Sequence, residues 1–252
     1  MSLQGRTILI TGAGRGLGRA FAEACAAAKA DTIVVADVQV EWGEATADSL
    51  RRSGAKATFF PVDLGDPASI EAFTAKVRAQ YAQIDGLVNN AAIATGIGGK
   101  TFEEIDIATW DRVMSVNVRG TWLMTKAMAP LLRRSRLGGR IVNLASDTAL
   151  WGAPRLLHYV SSKGAVISMT RSLARELGPD RIAVNAIAPG LVMVEATEYV
   201  PEERRQLYVS GRAMQRAQLP DDVTGAVVFL LGQGAGFVTG QLLPVNGGFV
   251  FN

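Results

Sequence analysis

Short runs of β-branched and apolar residues alternate with longer helical patterns along the whole chain, and this alternation restricts the fold more than any other feature. The first run is Thr7-Ile8-Leu9-Ile10, which ends in a glycine loop. Helix-forming composition follows at 20–30, a second strand at 32–36 and an amphipathic helix at 41–52. The pattern then predicts a strand at 57–62, a helix at 69–81 and a short strand, Gly86-Leu87-Val88. A long helical stretch at about 107–136 precedes a fifth strand at 140–144. A second long helix is predicted at 159–177, and strands at 182–187 and 242–245 bring the total to seven. These strands are nearly continuous apolar runs, which suits a sheet covered by helices on both faces. Strand–helix alternation with short connections implies right-handed crossovers and a mostly parallel, doubly wound α/β sheet. No long linker, low-complexity tract or internal repeat interrupts the 252 residues, so one domain is expected.

Composition excludes several function classes. A net charge of +3 is too small for a nucleic-acid-binding surface. The densest basic stretch, Arg133, Arg134, Arg136 and Arg140, follows a helical pattern, where cations favour a helix C-terminus. Cys25 is the one cysteine and sits among alanines, so a small buried thiol is expected and no intrachain disulfide can form. Residues 1–5 lack the basic and apolar regions of a secretory signal, and no apolar run approaches the roughly 18 residues that span a bilayer. A cytoplasmic protein without membrane or nucleic-acid partners is the expectation.

The glycine loop, Thr11-Gly12-Ala13-Gly14-Arg15-Gly16-Leu17-Gly18, lies between a predicted strand and a predicted helix. Backbone N–H groups at a helix N-terminus suit a pyrophosphate, and glycines permit close approach. Asp37 ends the second strand about 20 residues further on, where a carboxylate can bind the ribose 2′-OH of NAD and repel a 2′-phosphate. Arg15 argues the other way, since a guanidinium can pair with that phosphate. The balance favours NAD over NADP.

Tyr159 and Lys163 stand four residues apart at a predicted helix start, on one face and one turn from each other. Tyrosine, with an ordinary pKa of about 10, is a poor base near neutrality, and a neighbouring ammonium favours its phenolate. On spacing alone the pair is a common coincidence. Its company is not. With the glycine loop, Asn89-Asn90-Ala91-Ala92, Asn117, Ser146 and Pro189-Gly190, in this order, the chain resembles the short-chain dehydrogenase/reductase family over essentially its whole length. The resemblance implies a Rossmann-type fold and a nicotinamide cofactor.

It also implies roles. Ser146 would hydrogen-bond the substrate oxygen. Tyr159 would be the acid in carbonyl reduction and the base in alcohol oxidation. Lys163 would bond the nicotinamide ribose and lower the Tyr159 pKa. Asn117 would interrupt helical hydrogen bonding and hold a water that links Lys163 to solvent. By the same resemblance the cofactor would lie against Gly12, Arg15, Gly16, Leu17, Gly18, Asp37, Asp63, Leu64, Asn89, Ala91, Tyr159, Lys163, Ile187, Pro189, Gly190 and Val192. Two positions depart from the family pattern. Ala92 replaces a glycine. Val194 replaces a threonine that bonds the nicotinamide carboxamide, leaving backbone groups or Thr197 for that contact.

Substrate contacts are expected from segments beyond the strand ends: 95–100, 147–158 and a lid at about 191–214. These offer Ile97, Leu150, Trp151, Leu156, Leu157, Val192, Met193, Tyr199, Leu207 and Tyr208. Ser146, Trp151, Leu156, Tyr159 and Met193 are the leading candidates. An apolar set with few charges favours a secondary alcohol or ketone on an apolar or aromatic body. His158, the single histidine, would point about 100° away from Tyr159 on a helix and is read as a pocket-wall residue. No residue cluster suggests a metal site. By analogy with the family, the two long helices, with Trp122, Met128 and Met169, and the apolar C-terminus from Gly247 to Asn252 would build a homotetramer. An NADPH-dependent reductase of 3-oxoacyl thioesters, which Arg15 would support, is one alternative. A dinucleotide-binding regulator without turnover is the other.

Overall fold

The computed structural model describes residues 1–251; Asn252, the last residue of the apolar C-terminal stretch, lies outside the described residues. Seven strands form a single parallel sheet: β1 (Thr7–Thr11), β2 (Thr32–Asp37), β3 (Ala57–Pro61), β4 (Gly86–Asn89), β5 (Arg140–Leu144), β6 (Ala183–Pro189) and β7 (Leu242–Val245). Their spatial order is β3-β2-β1-β4-β5-β6-β7, and every pairing is parallel. The order reverses between β1 and β4, which opens a crevice at the strand C-termini.

Side-chain alternation along the strands divides the core into two halves. Ile8 and Ile10 of β1, with Ile33 and Val35 of β2, pack on one face against α1 (Gly16–Ala27), α2 (Val40–Arg52) and a later helix. Leu9 and Val34 face the opposite way, against α3 (Pro67–Gln80) and the long helices. Asp66 caps α3 by accepting from the Ala68 N–H at 2.9 Å, and Pro67 starts it with a preset φ. Cys25 is fully buried in the first half of the core, and burial pushes its thiol up to about 12.

The predicted helix at 107–136 is three pieces. α4 (Ile107–Met114) runs into a π-helical turn (Ser115–Gly120), and α5 (Thr121–Leu132) continues beyond it. The π turn puts Asn117 in its middle, with the Asn117 carbonyl accepting from the Thr121 hydroxyl at 2.9 Å. After β5 come a four-residue helix, α6 (Thr148–Trp151), and the long α7 (Leu157–Leu177). The region after β6 holds a 3₁₀ turn (Glu195–Thr197), α8 (Glu202–Gly211) and α9 (Asp221–Leu231). The sequence pattern did not anticipate α6 or α9. α9 reads as an apolar run, Gly-Ala-Val-Val-Phe-Leu-Leu, without amphipathic spacing, because it is packed between the sheet and α1.

Candidate active site

The crevice widens into a cleft of about 1430 Å³ that extends from the glycine loop to α8. At one end, Gly12 takes a left-handed φ of +64°, and a Cβ there would sit 2.8 Å from the Ala91 Cα. A Cβ on Gly18 would meet the Gly12 carbonyl oxygen at 2.0 Å. Only glycine permits this closeness of loop and helix. Asn90 secures the loop by donating to the Thr11 and Gly12 carbonyls at 2.9 and 3.0 Å. α1 begins at Gly16 with no cap from the Arg15 side chain; the Glu195 carboxylate lies at the Gly16 N–H, and the N–H groups that follow face the cleft end. Asp37 is buried beside them, accepting from the Gly14 N–H at 2.8 Å and the Gln39 N–H at 2.9 Å. The Arg15 guanidinium makes no ion pair with Asp37; it lies 4.1 Å from the centre of the Trp42 ring. This cradle of glycines and N–H groups fits the dinucleotide expected from the sequence.

At the other end stand Ser146, Tyr159 and Lys163. Ser146 follows β5, and its hydroxyl accepts from Thr148 Oγ1 at 2.9 Å. It stands beside the Tyr159 phenol and favours ionisation there, but burial of that hydroxyl dominates and pushes it up to about 12. Lys163 Nζ donates to the Leu144 carbonyl at 2.6 Å, and burial lowers the ammonium to about 8. In this geometry desolvation outweighs any pull of Lys163 on Tyr159. Asn117 clamps the strand-β4 loop to α7. It accepts from the Ile93 N–H at 2.7 Å and donates to the Ile93 carbonyl and Ser162 Oγ, both at 3.1 Å.

Most sequence-derived candidates reach the cleft: Gly12, Arg15, Gly16, Leu17, Gly18, Asp37, Asp63, Leu64, Ala91, Ser146, Trp151, Leu156, Tyr159, Lys163, Pro189, Gly190 and Val192 all line it. Asn89 does not. It points beneath the sheet and donates to Thr125 Oγ1 at 3.0 Å and Asn143 Oδ1 at 2.8 Å, while its neighbour Asn90 lines the cleft. Met193 is also outside the lining, with its N–H bound to the Gln218 carbonyl at 2.8 Å. Ile97, Leu150 and Leu157 are absent from the wall, whereas Tyr199, Leu207 and Tyr208 belong to it. Thr197 lines the cleft but uses its hydroxyl to donate to the Val192 carbonyl at 2.7 Å. His158 is fully buried behind the site. Trp42 joins the lining from outside every segment expected there, and Arg155 and Arg204 add charges to segments read as apolar.

The lid lies down over the cleft. Tyr199 donates to the Ala94 carbonyl at 2.7 Å, and Thr95 to the Ala196 carbonyl at 3.2 Å. Arg19 and Glu195 pair at 2.7 Å across the lid base and α1. Among the described residues no group of His, Cys, Asp or Glu could hold a metal ion, and no helix is long and apolar enough to cross a membrane.

Comparison with known proteins agrees with this geometry. Residues 12–250 match the family described as Enoyl-(Acyl carrier protein) reductase. The chain is 36% identical to the (2S)-[(R)-hydroxy(phenyl)methyl]succinyl-CoA dehydrogenase subunit BbsD of Thauera aromatica, over 98% of each chain. It is 34% identical to the 3-oxoacyl-[acyl-carrier-protein] reductase FabG of Aquifex aeolicus, again over 98% of each. Among solved structures, a short-chain alcohol dehydrogenase from Sinorhizobium meliloti superposes with a TM-score of 0.90 at 31% identity, covering 98% of this chain and 97% of that one. A levodione reductase superposes with a TM-score of 0.87 at 30% identity, covering 98% of both. The chain belongs to the short-chain dehydrogenase/reductase family, and is an oxidoreductase that interconverts alcohols and carbonyls with a nicotinamide cofactor.

Proposed function

We propose that this enzyme is an NAD-preferring dehydrogenase or reductase of a secondary alcohol or ketone carried on an apolar or aromatic body. The observation that carries this reading is the convergence of the Ser146 hydroxyl and the Tyr159 phenol on a cleft walled by Trp151, Leu156, Leu207 and Tyr208. A bound nicotinamide supplies the hydride donor or acceptor. The chain supplies the rest. In reduction the Tyr159 O–H donates its proton to the carbonyl oxygen while the Ser146 hydroxyl hydrogen-bonds the same oxygen. In oxidation the Tyr159 phenolate takes the hydroxyl proton. Lys163 supports that phenolate and the cofactor ribose, and the π turn at Asn117 provides a place for water connecting Lys163 with solvent. Asp37, beside Gly14, supports the preference for NAD, with Arg15 drawn onto Trp42.

A second reading, reduction of 3-oxoacyl thioesters, is favoured by Arg155 and Arg204 in the cleft lining, where anionic groups of a carrier could sit. A screen of alcohols, ketones and 3-oxoacyl thioesters with NADH and NADPH separates the two. Turnover of aromatic or aliphatic ketones with NADH supports the first reading; turnover confined to thioesters with NADPH overturns it. We also infer a homotetramer, supported by the half-exposed Trp122 beside Met114 and Met169 on the outer faces of the long helices; Met128, expected on that face, is instead fully buried in the core. Light scattering that gives a monomer at micromolar concentration contradicts it.

A further inference from the structure

Asp147 directly follows Ser146, yet its side chain leaves the cleft and meets the lid. Its N–H donates to the Pro189 carbonyl at 3.0 Å, and its carbonyl accepts from Leu150 and Trp151 at 2.8 and 3.2 Å to start α6. The side chain is fully buried. Oδ1 accepts from the Tyr208 hydroxyl of α8 at 3.1 Å. Oδ2 and the Trp151 Nε1 make no hydrogen bond of good geometry, and Trp151 and Asn246 approach the carboxyl only as weaker side-chain donors. Tyr208 stacks on Phe249 at 4.5 Å between centroids, and Trp151 meets both rings edge-on at 6.2 and 5.6 Å. Phe249, from the C-terminal stretch, thus packs on both rings.

Arg212 closes the other side. A Cβ on Gly190 would lie 3.0 Å from Asp147 Oδ2 and 3.1 Å from Arg212 Nη2, so both charged groups crowd one backbone point on the cleft. The same guanidinium donates to the carbonyls of Leu191, Arg216 and Asn246 at 2.8, 2.9 and 3.1 Å. It thus gathers the beginning and the end of the lid. Burial of this carboxylate is only partly offset by its hydrogen bonds, so it is a poor stabilising device.

We propose that Asp147 is a positioning residue for this reaction: through Tyr208 and Arg212 its carboxylate ties the closed lid to the backbone that places Ser146 and faces Tyr159. The proton-transfer half of this inference rests on the proposed role of Tyr159; the lid half does not. The titratable and charged groups facing Asp147 are Tyr208 and Arg212 from the lid side and Tyr159 from α7, with Trp151 and Asn246 as uncharged neighbours. Burial pushes the Asp147 carboxyl up to about 6 despite the pull of Tyr208 and Arg212 and of the Asn246 and Trp151 donors. For a carboxyl raised in the folded state, ionisation costs stability in full above that value, and the cost is relieved as pH falls from there to the ordinary carboxylate value. Near Tyr159 the ionised carboxylate opposes phenolate formation.

Asp147→Asn keeps the shape and an acceptor for Tyr208 but removes the charge. Four results are expected at once: an unchanged or higher Tm at pH 7, a kcat/KM lowered about tenfold chiefly through KM, faster tryptic cleavage after Arg204 and Arg205, and an ascending limb of the pH profile for oxidation moved to lower pH. Tyr208→Phe should raise KM without moving that limb. Wild-type KM, cleavage rate and pH profile in Asp147→Asn overturn the proposal, and so does a marked loss of Tm, which would make Asp147 a merely structural residue. Should Tyr159→Phe retain turnover, the acid–base reading fails, while the cleavage rates still decide the tie between Asp147 and the lid.

Discussion

Lys163 Nζ donates to the Leu144 carbonyl at 2.6 Å while standing 5.6 Å from the centre of the Tyr159 ring. The lysine is therefore anchored to the end of β5, one residue pair upstream of Ser146, and not to the phenol it serves. The strand that presents the serine also fixes the lysine. This couples the placement of both groups to one backbone segment.

Burying an ammonium there has a cost that depends on pH. The folded-state value of about 8 lies below the ordinary 10.5, so stability should rise as pH climbs from about 8 towards 10.5, where only the unfolded chain keeps the proton. Lys163→Met removes this cost. Thermal unfolding at pH 7 should show a variant as stable as the parent or more stable by about 1–3 kcal/mol, with turnover lost. A strongly destabilised variant would mean that the Leu144 hydrogen bond outweighs the desolvation.

Asp37 accepts from the Gly14 N–H at 2.8 Å and so joins the end of β2 to the glycine loop. Asp37→Asn should keep much of that bond and remove the charge that repels a 2′-phosphate. The ratio of kcat/KM for NADP to that for NAD should rise by about tenfold or more. Adding Arg15→Ala should reverse part of the gain. An unchanged ratio in the single variant would remove Asp37 from cofactor selection.

Gly18, in the first turn of α1, admits no side chain. Gly18→Ala would press a methyl to 2.0 Å from the Gly12 carbonyl oxygen and 2.6 Å from Asn90 Nδ2. Stability should fall by about 1–3 kcal/mol, measured by denaturant unfolding. Cofactor affinity, measured by fluorescence titration, should fall with it, because the loop can relax only by moving away from α1.

The inner strands were legible because they are runs buried on both faces, which leaves little polar alternation; the edge strands β3 and β7 are partly exposed. The glycine loop and the Tyr159–Lys163 pair were legible because their chemistry depends on neighbours close in sequence. Where the reading failed, the deciding contacts were distant. Asn89 and Asn90 are adjacent at a strand end and point to opposite sides, and composition does not say which one meets the cleft. Met193 is displaced by a backbone pairing with Gln218, 25 residues away by numbering, that re-aims the lid base. Asp147 gave no signal, since its partners Tyr208 and Arg212 arrive from the lid.

The central claim is that the Tyr159 hydroxyl moves the proton. Tyr159→Phe removes one oxygen and leaves the ring that lies against Lys163. Turnover and NADH binding should be measured on the same preparation. Turnover should fall by at least about a hundredfold, as expected for loss of a general acid, while the NADH dissociation constant changes by less than about threefold. Turnover close to that of the parent enzyme, with NADH binding intact, would contradict it.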